Sequence, residues 1–290
     1  MIVELLSLGY GILSLISFGF GDFFSKRVMA GVGYLRLLVY SQLVSLVPVL
    51  LLGAVFTLSV PSSLTTVALI VASGICSFSA LFLFYKGLEA GKASVITPVF
   101  SAYAIVAIVL SFAVFGEVLS LWQIACVAMT LIGVFTITLM SDSGERAWSS
   151  GIPYALGSMF SAGVGSVLIK LVSDDIGGIA ALFFNRLLAV VTLAVVGVMY
   201  VRNHPRSRAN EGFPVKSIVL IGLAEFAGFS SFVLGLDVGM VSLVTTLSSA
   251  SPVVTVILAQ VFLRERLVQI QKFATVMVIL GILFLSIAST

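Results

Sequence analysis

Ten long apolar runs leave this chain few folds to choose from. They lie at 5–27, 34–56, 64–85, 93–115, 119–140, 150–172, 179–201, 216–236, 241–263 and 267–288. Each holds about 20 residues, the length at which an α-helix crosses a hydrocarbon core of about 30 Å. The runs are solidly apolar rather than alternating, and barrel strands need only about 10 residues, so helices are expected rather than strands. Helices also satisfy every backbone group within the segment, as lipid demands. Hydrophobic residues make up 60% of the chain and charged residues 9%, against about 25% charged in an average soluble domain. The expected fold class is all-α: a polytopic membrane protein of ten transmembrane helices.

The breaks between runs carry turn chemistry. Gly31 and Gly33 punctuate the first and Pro61-Ser62-Ser63 the second. Asp174-Asp175 with Gly177-Gly178 opens another, and the longest, from Arg202 to Pro214, holds the single histidine, His204. The first run is read as a permanent span: it is too long for a signal peptide and no basic residue precedes it.

The chain also repeats itself. At an offset of 148, Gly87, Leu88, Gly91, Ser94, Thr97, Glu117, Gln123 and Gly133 meet Gly235, Leu236, Gly239, Ser242, Thr245, Glu265, Gln271 and Gly281. At an offset of 144, Ser17, Gly19, Gly21, Lys26 and Val28 meet Ser161, Gly163, Gly165, Lys170 and Val172. Two halves follow, 1–145 and 146–290, divided by the polar run Ser141–Arg146. With five spans each, an odd number, the second half enters the membrane from the opposite side. The halves are then inverted repeats, the ground plan of many transporters.

Lys and Arg set the expected orientation. The breaks after odd-numbered spans hold Lys26, Arg27, Arg36, Lys86, Lys92, Arg146, Arg202, Arg206, Arg208, Lys216, Arg264, Arg266 and Lys272; those after even-numbered spans hold Lys170. This bias puts the odd-side loops in the cytoplasm and both termini outside, in the plasma membrane. The net charge of +3 belongs to those loops and implies no nucleic-acid surface. Cys76 and Cys126 sit mid-span and read as small packing residues. One loop histidine builds no zinc site, and no Gly-Lys-Ser/Thr phosphate loop is present, so no metal, cofactor or ATPase chemistry is expected.

Glu225 falls near the middle of span 8, where a carboxylate costs roughly 2.5–3.5 kcal/mol. It must face protein or a watery cavity, either as a proton or amine site or as a structural partner of a cation. Arg186, after Asn185 in span 7, differs from it in depth by on the order of 5 Å. It either pairs with Glu225 or binds an anionic group of a substrate. The first-half equivalents are Gln42 and Ser77. Asp22, equivalent to Ser166, either lines the inner mouth of a cavity or forms an i,i+4 pair with Lys26. Pro98 and Pro252 interrupt spans 4 and 9 and are candidate kinks. Thr97, Ser101 and Tyr103 surround the first; Ser248, Ser249 and Ser251 surround the second. Spans 4 and 9 are therefore read as the cavity-lining pair, with proline-freed carbonyls rescued by helices or water. Gly19, Gly21, Gly163 and Gly165 are read as close-packing positions, and Glu117 and Glu265 as interfacial caps.

Several segments together resemble a known family: Gly19…Lys26 and Gly163…Lys170, Asn185-Arg186, Ser251-Pro252, and the paired turns Gly116-Glu117-Val118-Leu119 and Arg264-Glu265-Arg266-Leu267. The chain resembles the ten-span drug/metabolite transporter superfamily, in its EamA-type branch, over nearly its whole length. The resemblance implies two inverted bundles around a central cavity, spans 5 and 10 at the periphery, and ATP-independent transport of small polar metabolites. It also implies both termini in the cytoplasm, against the charge bias. Phe18, Ala104 and Gln42 depart from the family's tryptophan, first-half proline and first-half arginine.

The expected function is a secondary transporter, with export the favoured direction, of small polar organic metabolites such as amino acids, not an enzyme. Its expected partners are a small-molecule substrate, the lipid bilayer and, at Glu225, protons, in a monomer or homodimer. A facilitator or exchanger without proton coupling, and a non-transporting receptor or assembly subunit, stay open as alternatives. A lipid-modifying enzyme would need a nucleophile, base or metal cluster near one interface, and the sequence offers none.

Overall fold

The computed structural model describes residues 2–91, 93–139, 150–203, 214–263 and 269–288. Among them there are twelve helices and no strand. These are α1 (Ile2–Val32), α2 (Tyr34–Val55), α3 (Leu64–Ala90), α4 (Ala93–Ser101), α5 (Tyr103–Phe115) and α6 (Leu121–Leu139). The second half gives α7 (Ile152–Ile176), α8 (Gly178–Asn203), α9 (Val215–Val238), α10 (Val241–Ser249), α11 (Ser251–Leu263) and α12 (Gln269–Ala288). The Ser141–Arg146 divider, the His204 loop and Glu265 lie outside the described residues.

All ten apolar runs become helix, with one refinement: the runs 93–115 and 241–263 each become two helices. Six segments are long and apolar enough to cross a membrane: Leu5–Met29, Tyr34–Val55, Leu64–Ala90, Ile152–Ile176, Val215–Val238 and Val241–Phe262. Four shorter apolar helices accompany them, at Val99–Phe115, Leu121–Thr136, Gly178–Leu193 and Gln269–Leu285. Several helices outrun their apolar stretch, because helical hydrogen bonding continues until the backbone meets a stop. α1 runs on to Val32 and α7 to Ile176, where Gly33 (φ 83°) and Gly177 (φ 84°) take up the left-handed φ that glycine adopts freely.

These two stops are copies of one another at the 144-residue offset. Gly33 N–H donates to Met29 O and Gly177 N–H to Ser173 O, both at 2.8 Å. The following helices begin on the same glycines' carbonyls, through Leu37 at 3.2 Å and Ala181 at 3.0 Å. α3 starts instead on a serine cap: Ser63 Oγ accepts from Thr66 N–H at 3.0 Å.

The splits are copies too, at the 148-residue offset. At Ala102 the chain donates to Val99 O at 3.3 Å, and Ile105 donates to Ala102 O at 2.9 Å. At Ala250 it donates to Leu247 O at 3.1 Å, and Val253 donates to Ala250 O at 3.0 Å. Both are i→i−3 turns, the tighter 3₁₀ pattern. Pro252 is the second residue of α11, where its missing N–H has no helical partner to lose. Its first-half equivalent is Ala104, so the turn forms with or without proline. Pro98 lies inside α4, four residues ahead of the turn.

The halves interlock rather than lie side by side. α1 packs along α9, α3 along α7, and α2 against both α8 and α9, all contacts between the halves. α6 and α12 pack mainly on one another, outside this group. Small residues permit the close approaches. A Cβ on Gly19 would stand 2.5 Å from Val254 Cβ, and one on Gly163 would stand 2.6 Å from Val106 Cβ, again equivalent pairs. Large apolar side chains such as Val55, Leu64 and Leu121 stay exposed on the outside, the surface a bilayer covers.

Candidate functional site

A cavity opens between the two halves. It is lined by Asp22, Ser101, Tyr103, Asn185, Arg186, Glu225, Ser248 and Ser251, residues the sequence singles out, and by a larger apolar and aromatic wall. α1, α3, α4, α5, α7, α8, α9, α10 and α11 all contribute; among the described residues α2, α6 and α12 give no lining residue. Many lining residues are equivalents of one another: Phe84 and Phe232, Ser101 and Ser249, Tyr103 and Ser251, Ser77 and Glu225, Leu81 and Phe229 at offset 148, and Asp22 and Ser166 at offset 144. The cavity thus lies where the two copies meet.

Arg186 and Glu225 sit in one hydrogen-bonded network. Arg186 and Glu225 are 2% and 7% exposed. Arg186 reaches Glu225 through the main-chain carbonyl oxygen, Nη2 to O at 3.3 Å. The link to the carboxylate is indirect: Gln42 Oε1 accepts from Arg186 Nη1, and Gln42 Nε2 donates to Glu225 Oε2 at 3.0 Å. Gln42 is itself the first-half equivalent of Arg186, so the two copies of this position meet each other. It stands behind the cavity wall, 2% exposed. An amide suits the place because it offers an acceptor to the cation and a donor to the anion at once.

Further contacts surround these residues. Tyr85 OH lies 3.5 Å from both Glu225 Oε1 and Ser25 Oγ, and its single proton can be donated to one of them at a time. The Arg186 guanidinium lies 4.4 Å from the centroid of Phe229, within cation–π range. Asn185 Nδ2 donates to Ser73 Oγ at 3.2 Å. Asp22 Oδ2 accepts from Ser251 Oγ at 3.5 Å, joining α1 to α11 just past the Ala250 turn. The side chain of Lys26, the alternative partner for Asp22, lies outside the described residues. Ser248 Oγ donates to Ser14 Oγ at 3.1 Å. Two buried polar atoms beside the cavity have no partner among the described residues: Arg186 Nε and Asn185 Oδ1.

Sequence reasoning passed over Tyr85 and the aromatic wall of Phe84, Phe100, Phe229 and Phe232. Aromatics are common on lipid-facing surfaces, so composition does not separate the two uses. A signal was present for one pair, since Phe84 and Phe232 keep their identity at offset 148. Pro252 is not among the described lining residues; along the chain, Pro98 and Pro252 flank the turns that break α4 from α5 and α10 from α11. Glu117 is a cap of an unexpected kind. It accepts from Val241 N–H at 2.7 Å and Ser242 N–H at 3.0 Å, capping α10 of the other half.

The sequence pattern of the EamA-like transporter family matches the chain twice, over residues 5–139 and 149–287. A relative from Archaeoglobus fulgidus, described as an uncharacterized transporter, is 23% identical over 203 residues, covering 70% of this chain and 69% of its own. A solved protein crystal structure superposes with a TM-score of 0.79 at 16% identity, over 96% of this chain and 95% of the other. That likeness shows a shared fold.

Proposed function

The chain belongs to the EamA-like transporter family, and from that premise we propose that it is an alternating-access secondary transporter exporting small polar organic metabolites, amino acids and related solutes among them. The observation that carries this reading is the cavity between the halves. It concentrates Asp22, Arg186 and Glu225 among wall residues contributed as equivalents by each copy. Buried charge inside membrane helices is costly and marks solute paths more often than structure.

In this reading the chain crosses the membrane ten times, as two inverted five-crossing halves, 1–145 and 146–290. The double family match and the duplicated turns at Gly33 and Gly177, and at Ala102 and Ala250, support it. The Lys and Arg bias supports cytoplasmic odd-side loops, with both termini outside. Inverted halves can exchange conformations, which yields two similar states open to opposite sides. The solute binds among Asp22, Asn185, Arg186, Glu225, Ser101, Tyr103, Ser248 and Ser251. The turns at Ala102 and Ala250, with Pro98 and Pro252 beside them, let the halves of spans 4 and 9 tilt separately. Glu225 is the candidate proton carrier.

Reconstitution tests this. Proteoliposomes should accumulate at least one solute from an amino-acid and amine panel above protein-free vesicles, and Glu225→Ala should abolish the difference. A pH gradient that changes the final level, and not only the rate, assigns proton coupling; a rate effect alone assigns facilitated exchange. No uptake from a broad metabolite panel by folded protein would sink the transport reading.

A further inference from the structure

Resting on the reading of Glu225 as the proton carrier, we propose that Tyr85 is its positioning residue. The Tyr85 hydroxyl donates to the ionised carboxylate; once Glu225 takes up a proton, it accepts from Glu225 and turns its own proton to Ser25. Gln42 fixes where that proton goes. Its Oε1 accepts from Arg186 Nη1, and its Nε2 donates to Glu225 Oε2 at 3.0 Å. A flipped amide would set its NH2 group against the guanidinium and its oxygen against the carboxylate. The amide is therefore held one way round. Its NH2 group donates and does not accept, so a proton on Oε2 would face another donor. Protonation belongs on Oε1.

Tyr85 OH stands 3.5 Å from Oε1. A phenol hydroxyl both donates and accepts, so it can serve the carboxylate and the carboxylic acid alike. When it accepts from the acid, its own proton needs another acceptor, and Ser25 Oγ lies at the same 3.5 Å. Tyr85 and Ser25 are 2% and 4% exposed, which leaves little bulk water to bond instead. The three groups come from three helices: Ser25 from α1, Tyr85 from α3 and Glu225 from α9. The ionisable groups facing Glu225 are Asp22 on α1, Tyr85 on α3 and Arg186 on α8. On α2 the facing residue is the neutral Gln42, α10 has no ionisable residue, and those of α7 lie toward its ends. In the step, cavity water supplies one proton to Oε1. Tyr85 and Ser25 keep one proton each and only redirect them.

Infrared difference spectroscopy tests this on the purified full-length chain in lipid, with the proton itself as the probe. Lowering the pH should bring up a carboxylic-acid C=O band that Glu225→Gln removes. The phenol C–O band of Tyr85, identified with ring-deuterated tyrosine and by its loss in Tyr85→Phe, should shift at the same midpoint. It should stay still in Glu225→Gln. In Tyr85→Phe, Glu225 should hold its proton about three- to tenfold more tightly, because the ionised form loses a charge-assisted bond and the acid a weaker one. Ser25→Ala should alter the affinity of Glu225 for its proton when Tyr85 is present and leave it unchanged in the Tyr85→Phe background. A Tyr85 band that ignores the Glu225 titration overturns the switch and leaves Glu225 as the carrier. So does a Ser25→Ala effect that is equal in both backgrounds, or a Glu225 affinity that Tyr85→Phe does not move. If no Glu225 band titrates, the proton-carrier reading falls and the switch falls with it, while solute uptake still decides transport.

Discussion

Gln42 holds two opposite charges in register without letting them touch. Its amide accepts from Arg186 and donates to Glu225, deep in the protein. Gln42→Leu keeps the volume roughly constant but leaves a guanidinium and a carboxylate each short of a partner. A buried group so orphaned costs about 1–3 kcal/mol, more when charged, so the variant should lose about 3 kcal/mol or more. Ser41→Ala, one residue away and removing a single local bond to Leu38, should cost about 1 kcal/mol or less. Thermal unfolding in the same detergent compares the two; equal midpoints would deny Gln42 its bridging role. The sequence marks Glu225 and Arg186 at once, because a charge in the middle of an apolar run has no cheap explanation. It marks Gln42 only through the 144-residue repeat. Tyr85 stays hidden because a tyrosine in an apolar run reads equally well as packing or as an interfacial residue, and only the fold brings its hydroxyl to Glu225.

The elements are legible because helix ends in this chain follow local backbone chemistry. Gly33 and Gly177 stop their helices where the glycines stand in the sequence. The splits at Ala102 and Ala250 are another matter. The prolines nearby suggest the breaks, yet the first-half turn forms four residues beyond Pro98 and has Ala104 where the second half has Pro252. Tertiary packing, shared by both copies, therefore sets the turn, and proline only fits it. Pro252→Ala should then keep the turn and lower stability by no more than about 1 kcal/mol, the scale on which proline acts through the unfolded chain. A proline placed inside α11, as in Ile257→Pro, should cost about 3 kcal/mol or more. Unfolding midpoints and solute uptake of both variants check this. A collapse of the Pro252→Ala protein would make proline the cause of the break.

At the scale of the whole molecule the two ends of the bundle are not alike. At the Glu117 end the halves are tied. Glu117 caps the start of α10 through Val241 and Ser242, Ser111 and Ser242 share a 2.9 Å hydrogen bond, and Thr66 donates to Asp175. α5 packs on α10 there, whereas their equivalents at the other end, α11 and α4, do not pack comparably among the described residues. On the proposed inverted arrangement of the halves, one closed end opposite a looser equivalent would be one of the two states that alternating access requires. On the proposed orientation the closed end faces outside. Glu117→Ala removes both main-chain caps and a third bond, from Ser242 Oγ at 2.5 Å. At roughly 0.5–1.5 kcal/mol per bond, the closed state should lose about 2 kcal/mol, roughly thirtyfold in equilibrium. The readout is a single cysteine at Ser249, on the cavity wall, in a background lacking Cys76 and Cys126. A membrane-impermeant thiol reagent should label it slowly from outside intact cells when Glu117 is present and much faster after Glu117→Ala. Inverted vesicles should label readily in both. Fast outside labelling with Glu117 intact would reverse the orientation. Labelling from outside that stays slow after Glu117→Ala, in a protein of unchanged fold, would reduce the Glu117 clamp to a static cap.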